Sequence, residues 1–193
     1  MAPPFGERAI CGMTVRRPRL LTDGVTFTPM PTELATERFI LTREELADAA
    51  WLANLFTARG SGTVTEAEAR SRVAAMHELT SAHGIGAYVL RPRAGGAPAG
   101  YAAIIIGRGT VEEPEIAYEL LPDAQGHGYA TEAASAVLPA AFATGRRRVW
   151  ATIRPWNAAS LRVLDKLGGF REVRTTSDEQ GQLLWFACER PAR

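Results

Sequence analysis

Apolar positions along the chain fall into short clusters set off by glycine, proline and capping residues, and their order predicts alternating strands and helices. Residues 36–41, with the sequence TERFIL, read as a short strand. Thr42 and Glu45 then form a capping-box pattern for a helix through Ala58, and Thr65 with Glu68 repeats it for a second helix ending near His83-Gly84. Two strands follow at 87–91 and 100–106, separated by the turn residues Ala94-Gly95-Gly96-Ala97-Pro98. A third strand at 113–121 is closed by Pro122-Asp123. A glycine-bearing turn at 125–129 opens an alanine-rich helix to about Thr144, with Gly145 as its C-cap. The remainder reads as a strand at 149–153, a helix at 157–167 stopped by Gly168-Gly169, and a closing hairpin at 170–176 and 183–188.

Three consecutive strands before a crossover helix imply an antiparallel section joined to a parallel step, so the sheet is mixed and not doubly wound. Residues 1–33 lack sustained periodicity and carry Pro3, Pro4, Pro18, Pro29 and Pro31 beside Arg16, Arg17 and Arg19. They read as a loosely docked extension, with Met13 as a second start codon candidate and a domain at 34–193. Pro139 falls inside the alanine-rich helix, where loss of a backbone donor predicts a kink.

Composition narrows the function classes. The 193 residues hold 22 basic and 21 acidic side chains, a net charge of +1, and all the basic ones but Lys166 are arginine. Polyanion binders and polybasic membrane modules need a basic excess that is missing here. Cys11 and Cys188 lie near opposite ends with no metal-ligand spacing, which reads as two reduced thiols. No apolar run approaches a membrane span, and the first residues show no apolar leader region, so the expectation is a cytoplasmic protein.

The segment from Glu115 to Ala133 carries the chemistry. It runs from strand through tight turn to helix, and a glycine turn opening a helix leaves several N–H groups aimed at one point, a natural pyrophosphate site. The turn lacks the GxxxxGK[ST] pattern, which excludes a P-loop. It follows several strands instead of the first, which disfavours a dinucleotide fold. Glu115 and Glu119, four apart, share one face of the strand.

Gln125-Gly126-His127-Gly128-Tyr129-Ala130 resembles the Q/R-x-x-G-x-G/A motif of the GNAT superfamily of acyl-CoA-dependent N-acetyltransferases. Ala130-Thr131-Glu132-Ala133, the run from Asn157 to Gly168 and Thr36-Glu37-Arg38 resemble its branch that acetylates ribosomal-protein N-termini. The resemblance covers about residues 34–190 and implies an α+β fold with a splayed, mixed sheet of six to seven strands flanked by about four helices.

It further implies acetyl-CoA as co-substrate, no metal, and an amine acceptor, either a small molecule or a protein N-terminus. By the same resemblance, Gln125, Gly126, His127, Gly128, Tyr129 and Ala130 hold the pyrophosphate, with Thr131 close by. The backbone at Glu119, Leu120 and Leu121 pairs with the pantetheine arm, the amide of Leu120 or Leu121 polarises the thioester, and Asn157 binds the cofactor arm or simply caps its helix. Glu115 takes the place of the base in histone-acetyltransferase relatives, Glu119 is the second candidate for that role, and a structural ion pair is the alternative for both. The tyrosine that many relatives use as acid is replaced by Leu164, leaving Ser160 as the nearest hydroxyl, or as a cap. Trp51, Phe56 and Trp156 are acceptor-pocket candidates, with core packing the ordinary role of the first two; Tyr118 reads as core. The loops 58–64 and 177–182 are the acceptor-facing segments. A homodimer fits the family, and a non-catalytic acyl-CoA-binding module is the alternative on the same fold.

Overall fold

The computed structural model describes residues 26–60 and 62–192. Cys11, Met13 and the cluster Arg16, Arg17 and Arg19 lie outside the described residues. Among the described residues one eight-stranded sheet, ordered β1-β2-β3-β4-β5-β6-β8-β7, carries four α-helices on its faces. This is one strand more than the upper expectation. The addition is β1 (Glu33–Ala35), a three-residue edge strand paired antiparallel with β2 (Phe39–Arg43) and too short to leave a periodic signal.

The predicted capping box at Thr42 is also displaced. Thr42 stays in β2, where its hydroxyl accepts from Arg91 Nε, and the box forms at Glu45 and Asp48 around a short 3-10 turn before α1 (Ala49–Thr57). The second box forms as written: Thr65 and Glu68 cap each other at the start of α2 (Glu66–His83), and Gly84 ends that helix in the left-handed region.

β3 (Ala87–Pro92), β4 (Gly100–Ile105) and β5 (Glu115–Leu120) continue the antiparallel run. α3 (Tyr129–Ala143) then crosses over to β6 (Arg148–Ile153), which lies parallel to β5. α3 runs on through Pro139 without a break in the assigned helix. α4 (Ala158–Leu167) and the hairpin of β7 (Phe170–Asp178) and β8 (Gly181–Glu189) complete the chain, with β8 inserted between β6 and β7.

Alternation along the central strands divides the core. Ala102, Ile104, Ile116 and Leu120 pack against α3 and α4, whereas Ala103, Ile105, Ala117 and Tyr101 face α1 and α2. The docked part of the chain begins before residue 34. Met30 is buried in the main core, Thr28 N–H donates to Thr144 O at 3.0 Å, and Met30 N–H donates to Gly84 O at 2.8 Å. Among the described residues no helix is long and apolar enough to cross a membrane.

Candidate active site

β5 and β6 meet at one register pair, Glu115 opposite Trp150, with Trp150 N–H donating to Pro114 O at 2.8 Å. Beyond it the strands part, opening a split toward the C-terminal end of β5. Leu121 N–H donates to Ala99 O, which fixes the ladder with β4: odd-numbered residues of β5 bond β4, and the N–H and C=O groups of Ile116, Tyr118 and Leu120 turn toward the split. Of the two amides proposed to polarise a carbonyl, Leu121 is therefore committed to the sheet and Leu120 faces the split. Leu120 O accepts from Gln125 Nε2 at 3.1 Å, which ties the turn to the strand. Gly100 sits opposite Leu120 with φ +155°, and a Cβ there would strike Glu119 O.

The turn stands at the mouth of this split. Gly126 and Gly128 hold φ values of +83° and +80°, and Gly128 serves as the N-cap of α3. Glu132 N–H makes the first helical bond, to Gly128 O, and the six amides from Gly126 to Thr131 donate to no described residue. Those orphan donors sit at the positive end of the helix dipole. Open space lies beyond the Cα of Gly126, where a side chain would project.

Arg38 braces this turn from 94 residues away. Its Nε reaches Glu132 Oε2 at 2.6 Å, its N–H donates to Glu132 Oε1 at 2.8 Å, and its Nη1 donates to His127 O at 3.0 Å. Its guanidinium lies 4.6 Å from the centre of the Tyr129 ring. Burial acts to raise the Glu132 carboxyl, but hydrogen bonds from Thr36 and Arg38 outweigh it and hold the group below the usual range. His127 is exposed, its ring 5.4 Å from that of Tyr129.

Asn157 caps α4, its Oδ1 accepting from Ser160 N–H at 3.1 Å, and its Nδ2 donates to no described residue. Tyr118 points from β5 to the start of α4, where its hydroxyl donates to Ser160 O at 3.3 Å. Burial pushes the Tyr118 phenol up to about 12, with Ser160 opposing. Ser160 and Tyr118 thus meet on the α3/α4 side of β5. Leu164 is buried in the core, Lys166 is exposed in the last turn of α4, and Trp156 is half exposed beside Asn157.

The other face of β5 presents the carboxylates. Glu119 accepts a forked contact from Arg59, whose Nη2 also donates to the Tyr101 hydroxyl at 3.1 Å. Glu115 is 5% exposed, and its oxygens are taken by Arg108 N–H at 3.0 Å, Thr152 N–H at 3.2 Å and the Thr152 hydroxyl. It joins the β4–β5 connection to β6 at the closed end of the split. The structure therefore places Glu115 and Glu119 on one face, as their spacing requires, with both already engaged.

Between this face and α1/α2 lies a cavity of about 50 Å³, lined by Phe56, Arg59, Arg72, Tyr101, Ala117 and Glu44 among others. That volume is room for a few waters or a small polar head group. Phe56 takes part in the cavity wall, while Trp51 packs on the α1 core with its Nε1 donating to Asp48 Oδ1 at 2.8 Å.

Arg38 and Glu132 stand in segments that carry the resemblance, but their contact, like the cavity that Glu44 and Arg59 line, joins positions far apart in the chain and leaves no signal in local spacing. Glu44 is buried, which raises its carboxyl to about 8, with Asp48 adding to the shift and Arg43 opposing it. Folding thus favours the protonated form. The stabilisation is complete below the ordinary carboxylate range and is lost as pH rises through about 8. Melting temperatures measured against pH should fall between about pH 5 and 9 in the wild type relative to Glu44→Gln, by the equivalent of roughly 4 kcal/mol. Parallel curves for the two proteins would contradict this environment for Glu44.

Residues 36–169 match the family model described as Acetyltransferase (GNAT) domain. No match is found among the curated proteins. Of the solved structures, a protein assigned to the GnaT acetyltransferase family of Bordetella pertussis aligns with TM-score 0.72 and 27% identity, covering 82% of this chain and 99% of its own. RimJ of Mycobacterium smegmatis, in complex with CoA-disulfide, gives 0.69 and 22%, covering 82% and 88%. The yncA protein of Salmonella typhimurium, solved with acetyl-CoA, gives 0.66 and 20%, covering 79% and 94%.

Proposed function

The chain belongs to the GNAT acetyltransferase family, and on that footing we propose that it moves an acetyl group from acetyl-CoA to a primary amine by direct attack in a ternary complex. The observation that carries this reading is the junction of two sets of open backbone donors, the N–H groups of Tyr118 and Leu120 on β5 beyond its pairing with β6 and the six orphan amides from Gly126 to Thr131. An extended amide-bearing arm ending in a pyrophosphate matches both at once, the arm as an added strand and the phosphates at the helix N-terminus. Acetyl-CoA, when bound, supplies the activated acyl group.

The residues then divide the work. The turn amides at Gly126 to Thr131 bind phosphate, with Gln125 and Arg38 holding the turn in place. The Leu120 amide points where a carbonyl lying along β5 would need a hydrogen-bond donor, and a donor of this kind contributes roughly 10²-fold or more. Asn157 Nδ2 and the Ser160 hydroxyl stand at the start of α4, beside the Tyr118 hydroxyl, as donors to the arm and to a departing thiolate. The acceptor enters from the opposite face, through the cavity between β5 and α1/α2. The contacts of Glu115 suit it to fixing β5 against β6 more than to receiving a proton.

Incubating the protein with acetyl-CoA and a panel of primary amines, among them peptides beginning with alanine or serine, tests the reading by mass spectrometry. An amine that gains one acetyl group only when enzyme is present is the expected result. Acetyl-CoA binding with no acetylated product from any amine or peptide would favour a non-catalytic module.

A further inference from the structure

The cavity beside β5 contains one carboxyl that the fold itself does not use. Glu44 is anchored through its main chain, its N–H donating to Ala87 O at 3.2 Å and its C=O lying 2.7 Å from His77 Nε2. Its side chain lines the cavity, the residue is only 8% exposed, and its carboxyl accepts no hydrogen bond from a described residue. The neighbouring acidic groups are all occupied: Asp48 by Trp51 Nε1 and Arg91, Glu119 by Arg59, and Glu115 by Thr152 and Arg108. The Glu44 oxygens are not sealed among protein atoms, as Nη1 of the neighbouring Arg43 is, and an unpaired carboxyl that opens on a cavity marks a place for a ligand.

The ligand's chemistry follows from the walls. The cavity is narrow and largely apolar around Phe56 and Ala117; its polar lining is the Glu44 carboxyl, the Tyr101 hydroxyl and the guanidinium groups of Arg59 and Arg72, and Glu44 is its only carboxyl. Ala117 belongs to β5, whose opposite edge borders the split, so the cavity reaches the strand on which an acyl group would lie. We propose that Glu44 binds the ammonium head of the acceptor amine and takes its proton.

This assignment rests on the acetyl-transfer reading above for the fate of the amine. In the step itself an N–H bond of the ammonium breaks and an O–H bond forms on Glu44. The electron pair stays on nitrogen, which is then free to attack a carbonyl carbon. The charged and titratable groups facing Glu44 are Arg43 and Asp48 from its own segment, Arg59 after α1, Arg72 and His77 from α2, and Tyr101 from β4. Arg59 is neutralised by Glu119 and Asp48 by Arg91. Burial holds the carboxyl up at about 8, so the proton passes between groups of more nearly matched strength than an ordinary carboxylate and an amine.

The test uses the full chain with acetyl-CoA and five amines: ethylamine, ethanolamine, glycinamide, spermidine and a peptide beginning with alanine. Thiol release is followed from about pH 6 to about pH 10, and each amine is also titrated calorimetrically into the CoA-loaded protein. For the best amine, Glu44→Gln should lower kcat/KM roughly 10²–10⁴-fold, leave KM for acetyl-CoA unchanged and abolish both the acid-side limb, on which the rate rises with pH through about 8, and the heat of amine binding. Glu44→Asp should restore part of the rate and keep the limb. Amine binding or a pH profile unaltered in Glu44→Gln overturns the proposal, as does a wild-type protein that binds none of these amines. Amine binding that depends on Glu44 without any transfer would support the assignment of this site while overturning the acetyl-transfer reading.

Discussion

Aspartate in place of Gly126 is expected to weaken acetyl-CoA binding by roughly 10²-fold or more while leaving the fold intact. Gly126 occupies the left-handed region at φ +83°, and a Cβ there meets nothing within 4 Å. Aspartate and asparagine tolerate this conformation better than other side chains, so backbone strain stays small for both. They differ in charge. The aspartate carboxylate would stand among the orphan amides from Gly126 to Thr131, competing for the same donors and repelling any phosphate that approaches them. Gly126→Asn separates the two effects, since it adds the same volume without the charge and should cost only several-fold. Dissociation constants for acetyl-CoA, measured for the three proteins at low and high salt, check the prediction. Equal affinity for the aspartate and asparagine variants would show that the turn does not hold an anion.

Truncation of Arg146 to alanine is expected to destabilise the protein by about 3–4 kcal/mol. Arg146 is 1% exposed, yet its guanidinium is satisfied by neutral acceptors: Val111 O at 2.8 Å, His83 O at 2.9 Å and the Thr144 hydroxyl at 3.0 Å. Those contacts join the end of α2, the β4–β5 connection and the segment after α3, and the guanidinium also lies 4.0 Å from the Phe27 ring. Burial lowers this guanidinium to about 10, with Glu112 opposing. Alanine leaves two half-buried carbonyls without donors and a void where the side chain was. At 193 residues the loss corresponds to a melting temperature lower by roughly 6–16 °C. Arg146→Lys should recover only part of it, because one ammonium cannot serve three separated acceptors. Thermal and urea unfolding measure both variants, and a change below about 1 kcal/mol for the alanine variant would mean that the three contacts contribute little.

Local chemistry was readable wherever a residue's role is decided by its near neighbours. The Thr65–Glu68 box, the glycine stops of α2 and α4 and the Gln125–Ala130 turn depend on spacing of a few residues, and each forms where the sequence places it. The Thr42 box failed because Thr42 has a long-range alternative, its hydroxyl bonding Arg91 across the sheet, and a carboxylate pair one turn later captures the helix start. β1 escaped notice because three residues cannot show a period of two.

The cofactor-facing half of the site follows from one contiguous motif. The part around the cavity is assembled from the segment after β2 and from α1, α2, β3, β4 and β5, and nothing in the spacing of Glu44, Arg59 and Ala117 announces that they share a cavity. The same holds for Arg38 and Glu132, whose contact spans 94 residues. Glu115 shows the limit of reasoning by position alone: its place on the strand follows from the pattern, but the three donors that occupy its carboxylate come from the β4–β5 connection and β6.

The central claim is that the split beside β5 and the turn before α3 together form a site for an acyl-CoA. Calorimetric titration of the full chain with acetyl-CoA, and separately with ATP and NAD, tests it most directly. The account predicts one tight acetyl-CoA site per chain, abolished or severely weakened by Gly126→Asp, and no binding of ATP or NAD. Binding of ATP or NAD in preference to acetyl-CoA, or acetyl-CoA binding indifferent to Gly126→Asp, would contradict it.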